Sequence, residues 1–228
     1  MAKHGVRRRL SDTNVDARSM RLHSYIVEHD LGFAPNPFHG LCTLATCKPL
    51  IRKYAVVGDY VMGTGAKSKK REQQNKIIYL MRIGCIINFD RYWADPQFAR
   101  KKPVMNGSVV QRYGDNIYHR DFTTSDWIQE DSFHSREGGQ VHRVNLETDT
   151  GTTDNVLIGD QFIYWGGEGP LIPSEFGQMV QKTQGHRSRD DENEIKAFLN
   201  WINSLNCSPS APMRQIEGLP EGRISGSS

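Results

Sequence analysis

Val56-Val57-Gly58-Asp59-Tyr60-Val61-Met62-Gly63-Thr64-Gly65, followed after a polar loop by Lys76-Ile77-Ile78-Tyr79-Leu80-Met81-Arg82-Ile83-Gly84-Cys85-Ile86-Ile87-Asn88-Phe89, decides the fold. A Gly-Asp turn set directly before an apolar, β-rich run feeds a buried strand. The second stretch is almost continuously hydrophobic and rich in β-branched residues, so it reads as one long strand covered on both faces rather than as a helix. Upstream, Arg21-Leu22-His23-Ser24-Tyr25-Ile26-Val27 reads as a first strand. Residues 32–40 must then be irregular, because Pro35, Pro37, Gly32 and Gly40 forbid a regular ladder. A short element at 42–46 and one helical turn at 48–53 complete this half.

Downstream, Tyr92-Trp93-Ala94-Asp95-Pro96-Gln97-Phe98 ends the long strand with an Asp-Pro break. Residues 107–110 and 116–119 are expected as short strands around a turn at 113–116, and the polar run 134–153 as a hairpin or loop. Strand character returns at 155–160 and 161–166. Ile195, Phe198, Leu199, Ile202 and Leu205 recur at three- and four-residue steps behind a cap at Asp191 or Asn193, which defines an amphipathic C-terminal helix. The predicted class is mixed, β-rich α+β with flanking helices. Residues 1–19 read as a flexible basic arm, 20–206 as a single domain and 207–228 as a Ser-, Pro-, Gly- and Arg-rich disordered tail.

With 228 residues, 37% of them hydrophobic, the chain can bury one substantial core. The net charge is only +3, yet basic residues come in blocks: Arg7 to Arg9, Lys67 with Lys69, Lys70 and Arg71, and Arg100 to Lys102. Such blocks track phosphates or form solvated loops. Four scattered cysteines, Cys42, Cys47, Cys85 and Cys207, point to a reducing, cytoplasmic setting. No apolar run is long enough for a membrane span, and no signal core is present. Cys42 and Cys47 lack a second close Cys or His pair, and His134 and His142 read as polar loop residues, so neither a metal nor a cofactor is expected. Phosphate-loop, dinucleotide, nucleophile-elbow, zinc-protease and deaminase patterns are all missing.

A planar base needs a stacking surface and a few fixed donors and acceptors. Trp93, Tyr118 and Trp165, at element ends beside Asp95, Asp115 and Asn116, fit that need. Asp30, Asn36, Thr43 and Lys48, around the Pro/Gly loop, are a second group, and Asn36 between two prolines is set to point one way. Thr64 with Lys67, Lys69 and Lys70, and His186 with Arg187, are candidate phosphate contacts. Asp30, His39, Lys48, Asp115 and His119 are the acid-base candidates. Core packing of the rings, a self-bonded turn at Asn36 and solvated charge runs are the competing readings.

The segments Ser24-Tyr25-Ile26-Val27, Gly32-Phe33-Ala34-Pro35-Asn36-Pro37-Phe38, Cys42-Thr43-Leu44-Ala45-Thr46-Cys47-Lys48-Pro49, Gly58-Asp59-Tyr60-Val61-Met62-Gly63-Thr64-Gly65, Tyr92-Trp93-Ala94-Asp95-Pro96-Gln97-Phe98 and Gly114-Asp115-Asn116-Ile117-Tyr118 resemble, together, the second type of nucleotide-modification-associated domain. The likeness runs from Met20 to Leu205. It implies a place in bacterial or phage systems that make or handle modified bases and brings no established catalytic residues. The order of elements is also similar to the EVE, YTH and PUA group of small β-barrels, which implies a pseudo-barrel whose aromatic pocket would use Trp93 and Trp165, with Asp95 or Asn116 on a base edge. The leading expectation is therefore binding of a modified nucleobase in nucleic acid or a nucleotide. The alternatives are an enzyme acting on a base, nucleoside or nucleotide, and a protein-interaction module that uses the last helix or the loop at 134–153.

Overall fold

The computed structural model describes residues 19–67, 74–183 and 185–205, so the expected arm and tail, and with them Lys69 and Lys70, lie outside the described residues. In chain order the regular elements are β1 (Leu22–Val27), β2 (Cys42–Leu44), α1 (Pro49–Tyr54), β3 (Tyr60–Gly65), β4 (Ile77–Arg82), β5 (Cys85–Asn88), α2 (Phe89–Ala94), α3 (Val109–Arg112), β6 (Tyr118–Arg120), β7 (Trp127–Gln129), α4 (Arg143–Thr150), β8 (Asn155–Gly159), β9 (Gln161–Tyr164), β10 (His186–Arg189) and α5 (Glu192–Ser204). Five strands form one sheet in the order β10-β1-β3-β4-β9, with β1 and β3 parallel and the other neighbours antiparallel. A second, antiparallel sheet runs β2-β8-β5, and β6 and β7 make a separate hairpin.

The mixed α+β class stands. The outermost strands of the large sheet, β10 and β9, do not pair with each other, so no closed barrel forms among the described residues.

Side-chain alternation sorts the residues into layers. One face of the large sheet sends Leu22, Met62 and Leu80 against Ile195, Phe198 and Ile202 of α5. The stripe of α5 is thus core rather than an exposed contact surface, and Asp191 caps the helix by accepting from the amides of Asn193 and Glu194. The other face sends Tyr25, Val27, Val61 and Met81 against Cys42, Leu44 and Leu157 of the small sheet. On β8 the neighbours of Leu157, Val156 and Ile158, point the opposite way into a third cluster with Phe89, Tyr92, Phe98 and Tyr118.

Three expectations change. The long apolar run is two strands in two sheets, β4 and β5, with the switch at Ile83-Gly84. The first half, β4, is buried almost throughout while the second, β5, is largely exposed or half-buried although equally apolar, so hydrophobicity alone does not mark the break. Gly84 fits that corner because a Cβ there would stand 2.7 Å from an Asp160 carboxylate oxygen. Residues 109–112 are a helical turn rather than a strand, closed by a reciprocal capping box between Ser108 and Gln111. The polar run at 134–153 contains a helix, α4, whose cap is the His142 ring accepting from the Asn145 amide.

Candidate functional site

Two non-glycine residues in succession, Cys47 and Lys48, have left-handed backbone with φ of 58° and 44°. Each such residue costs about 1–3 kcal/mol, and such strain collects where a side chain has to be aimed. Pro49 at the first turn of α1 supports the tight entry. The result is that Cys47 faces His134 and Asp149, residues 87 and 102 positions further along the chain.

The geometry is that of a nucleophile, a base and an orienting acid. Cys47 Sγ lies 3.8 Å from His134 Nε2, and His134 Nδ1 lies 2.9 Å from Asp149 Oδ2. The same Oδ2 accepts from the Tyr118 hydroxyl at 2.9 Å, while Oδ1 accepts from the Cys47 amide at 2.6 Å. Arg52, fully buried, donates to the carbonyls of Cys47, Asp149 and Asn155, so one guanidinium fixes the backbone of nucleophile and acid together. Gln129 donates to the Tyr118 hydroxyl and to the His134 carbonyl, and Asn145 donates to that carbonyl as well. These contacts leave little freedom in the ring or the carboxylate.

Burial disfavours a charged His134, but the Cys47 sulfur and the Asp149 carboxylate outweigh it and push the imidazole up to about 10. Burial likewise disfavours the Asp149 carboxylate, and His134, Arg52 and the Tyr118 hydroxyl together hold it below the usual range. The ring is therefore an imidazolium at neutral pH, donating from Nδ1 to Asp149 and from Nε2 toward sulfur. Sulfur, ring nitrogen and carboxylate oxygen lie within 4.8 Å of one another, a spacing that also suits a small cation.

The three residues line a cavity of about 400 Å³, within the range of small-molecule sites. Tyr25, Phe33 and Phe133 supply aromatic walls, and Lys48 and Glu28 bring charge to it. Phe33 packs on both Phe133 and the His134 ring, with centroids 5.6 and 4.6 Å apart, and the Lys48 ammonium stands 5.0 Å from the Tyr25 centroid.

Of the residues expected from sequence, Lys48 lines this cavity and Tyr118 reaches the site from behind through Asp149. Asp30 accepts a short hydrogen bond from the Tyr164 hydroxyl, one residue from the cavity wall at His29. Thr64 and Lys67 line a second cavity, while His186 and Arg187 lie on edge strand β10. Asn36, Thr43, Asp115 and Asn116 are buried together. Thr43 donates to Asp115 at 2.6 Å, Tyr92 donates to Asp115 at 2.7 Å, and the buried Lys101 ammonium donates to the Asn36 carbonyl and side-chain oxygen at 2.8 Å. Asn116 donates to the Tyr92 carbonyl. Asp95 caps the following turn through the Gln97 amide.

The three rings do not share a cavity. Trp165 is 4% exposed in the cluster beneath α5, and Tyr118 is buried in the cluster with Phe89. Trp93 stacks on His119 at 4.2 Å with the Lys102 ammonium 3.5 Å from its centroid, and two such partners cannot fit on one face of the ring. Among the acid-base candidates, His119 bonds Glu130, and His39 stands apart with a pKa lowered by burial and by Arg100 and Lys101. Cys47, His134 and Asp149 carried no local signal. With four cysteines and eight histidines in the chain, nothing in the residue order selects one pair.

The fold and site together define a mixed α+β domain with a half-buried thiol–imidazolium–carboxylate line opening on an aromatic cavity. Residues 19–217 match the family described as nucleotide modification associated domain 2, and the chain belongs to that family. No curated protein and no solved structure matches the chain. No helix among the described residues is long and apolar enough to cross a membrane.

Proposed function

We propose that the protein is a thiol enzyme of nucleotide modification, acting on an acyl or amide group carried by a nucleobase or nucleotide. The observation that carries this reading is the alignment of Cys47, His134 and Asp149 along one wall of the cavity, the order of groups that serves covalent acyl transfer. The Cys47 thiolate adds to the carbonyl carbon, and the carbonyl π electrons move to oxygen. As the tetrahedral centre collapses, the bond to the leaving amine or alkoxide breaks, and that group takes the Nε2 proton of His134. Water or an acceptor amine then loses a proton to His134 as it attacks the thioester, and the carbon–sulfur bond breaks to restore the thiolate. Asp149 holds the ring and stabilises its positive charge throughout.

The test uses p-nitrophenyl acetate as an acyl probe, intact-mass analysis and iodoacetamide alkylation. An acetyl adduct on Cys47 is expected in the wild type and none in Cys47→Ala. Alkylation at pH 6 is expected to slow by about tenfold or more in His134→Gln, because the sulfur loses the imidazole that faces it. Alkylation of Cys47 at the same pH 6 rate in both proteins, with no adduct, overturns the reading.

A second reading is binding without chemistry of a modified base in nucleic acid, within a bacterial or phage modification or defence system. The aromatic walls Tyr25, Phe33 and Phe133 favour it. It predicts base binding that survives Cys47→Ala with no adduct in any variant.

A further inference from the structure

Strands β1 and β3 run parallel and end side by side, Ile26 opposite Thr64 and Val27 opposite Gly65. Edge strand β10 covers β1 only from Leu22 to Tyr25, so the last two residues of β1 have no strand on that side among the described residues. Ile26 is shared by two cavities. It lines the thiol cavity and also a second one of about 300 Å³.

The second cavity has a different chemistry. Its walls bring two exposed ammonium groups, Lys67 and Lys182, together with Thr64, Asn75 and Gln181. Among the described residues no carboxylate lines it, in contrast to the thiol cavity with Glu28 and Asp149. Two cations and several neutral donors without an acid select an anion, and a compact one, since the ammonium groups act as point charges rather than as a planar fork. Basic groups continue along the edge toward the thiol: His186, opposite Tyr25 on β10, has its pKa lowered by burial and by the neighbouring His23 and Lys48, and Lys48 itself lines the thiol cavity.

We propose that the two cavities form one nucleotide site, in which Lys67 and Lys182 receive a phosphate while the group to be modified lies at Cys47. The substrate class is then a phosphorylated nucleoside, free or within a strand, and not a free base or nucleoside. This assignment rests on the thiol reading only for which end reacts; the phosphate end stands on the second cavity.

The experiment is calorimetric titration of the full chain carrying Cys47→Ala, which prevents turnover, with the four deoxynucleosides, their 5′-monophosphates and a short mixed-sequence oligonucleotide. A phosphorylated ligand is expected to bind about tenfold or more tighter than the matching nucleoside, and Lys67→Gln with Lys182→Gln is expected to remove that advantage. An advantage confined to monophosphates assigns a free nucleotide, and one confined to the oligonucleotide assigns a strand. Equal binding of nucleosides and nucleotides, no binding by either, or an advantage retained in the double-lysine variant overturns the proposal. Phosphate binding without a His134-dependent alkylation rate would sink the thiol reading and leave the phosphate site standing.

Discussion

Two buried polar clusters in this molecule use similar parts and do different things. In one, Lys101, Asn36, Thr43, Asp115 and Tyr92 satisfy one another between the small sheet and the helices outside it, and every one of them is sealed. In the other, Asp149, His134 and Tyr118 are bonded just as fully, but the last member of the line, the Cys47 sulfur, faces a cavity. A saturated network fixes a core; a network whose final atom opens on a cavity is available for chemistry. Access, rather than residue type, separates them.

The largest expected effect lies in the sealed cluster. Lys101→Met removes a buried ammonium and strands the Asn36 and Leu41 oxygens it serves, at an expected loss of about 3–5 kcal/mol in urea denaturation. A loss no greater than that of a surface lysine would break the contrast between the clusters. Next, Asp149→Asn keeps the shape but turns one of the two accepting oxygens into an NH2 donor, so either the Cys47 amide or the Tyr118 and His134 side loses its acceptor. An expected stability loss of about 1–3 kcal/mol accompanies slower Cys47 alkylation, measured on the same samples.

The smallest effect is in pH dependence, where the clusters have opposite signs. His134 is raised from 6.5 to about 10, so its contribution is fully present below pH 6.5 and is lost as the pH rises through about 10. Lys101 is pushed from 10.5 down to about 8, chiefly by burial, so its contribution is present above 10.5 and lost as the pH falls through about 8. Urea midpoints between pH 6.5 and 10 are expected to show the gap between wild type and His134→Gln narrowing as pH rises. The gap between wild type and Lys101→Met is expected to widen from pH 8 upward. Parallel curves for all three proteins would remove the electrostatic account of both clusters.

The sequence reading favoured the wrong kind of neighbourhood for understandable reasons. Asp115 and Asn116 follow Gly114 in what reads as an exposed turn, and Asn36 stands between two prolines, so both look presented to solvent. Neither is: the Lys101 ammonium, carried by the turn after Pro96, reaches in and closes the cluster over them. Conversely, His134 sits in a polar run that reads as loop, where α4 instead forms and turns Asp149 inward. The α4 sequence Arg-Val-Asn-Leu-Glu-Thr-Asp-Thr has weak apolar periodicity, and the one residue it buries is the polar Asp149. The capping box at Ser108 and the Asn88 cap of α2 were present as local patterns.

Local physics wrote much of this protein directly into its residue order. Strand β1, the turn into β3, the β8 and β9 pair and the capped stripe of α5 follow from side-chain period, turn chemistry and capping, each of which acts over a few residues. Tertiary structure alone decided that the long apolar run divides between two sheets, which polar residues are sealed, and that a cysteine, a histidine and an aspartate from three distant segments meet. Those outcomes depend on contacts across about a hundred residues of chain, and a one-dimensional pattern carries no distance between such positions.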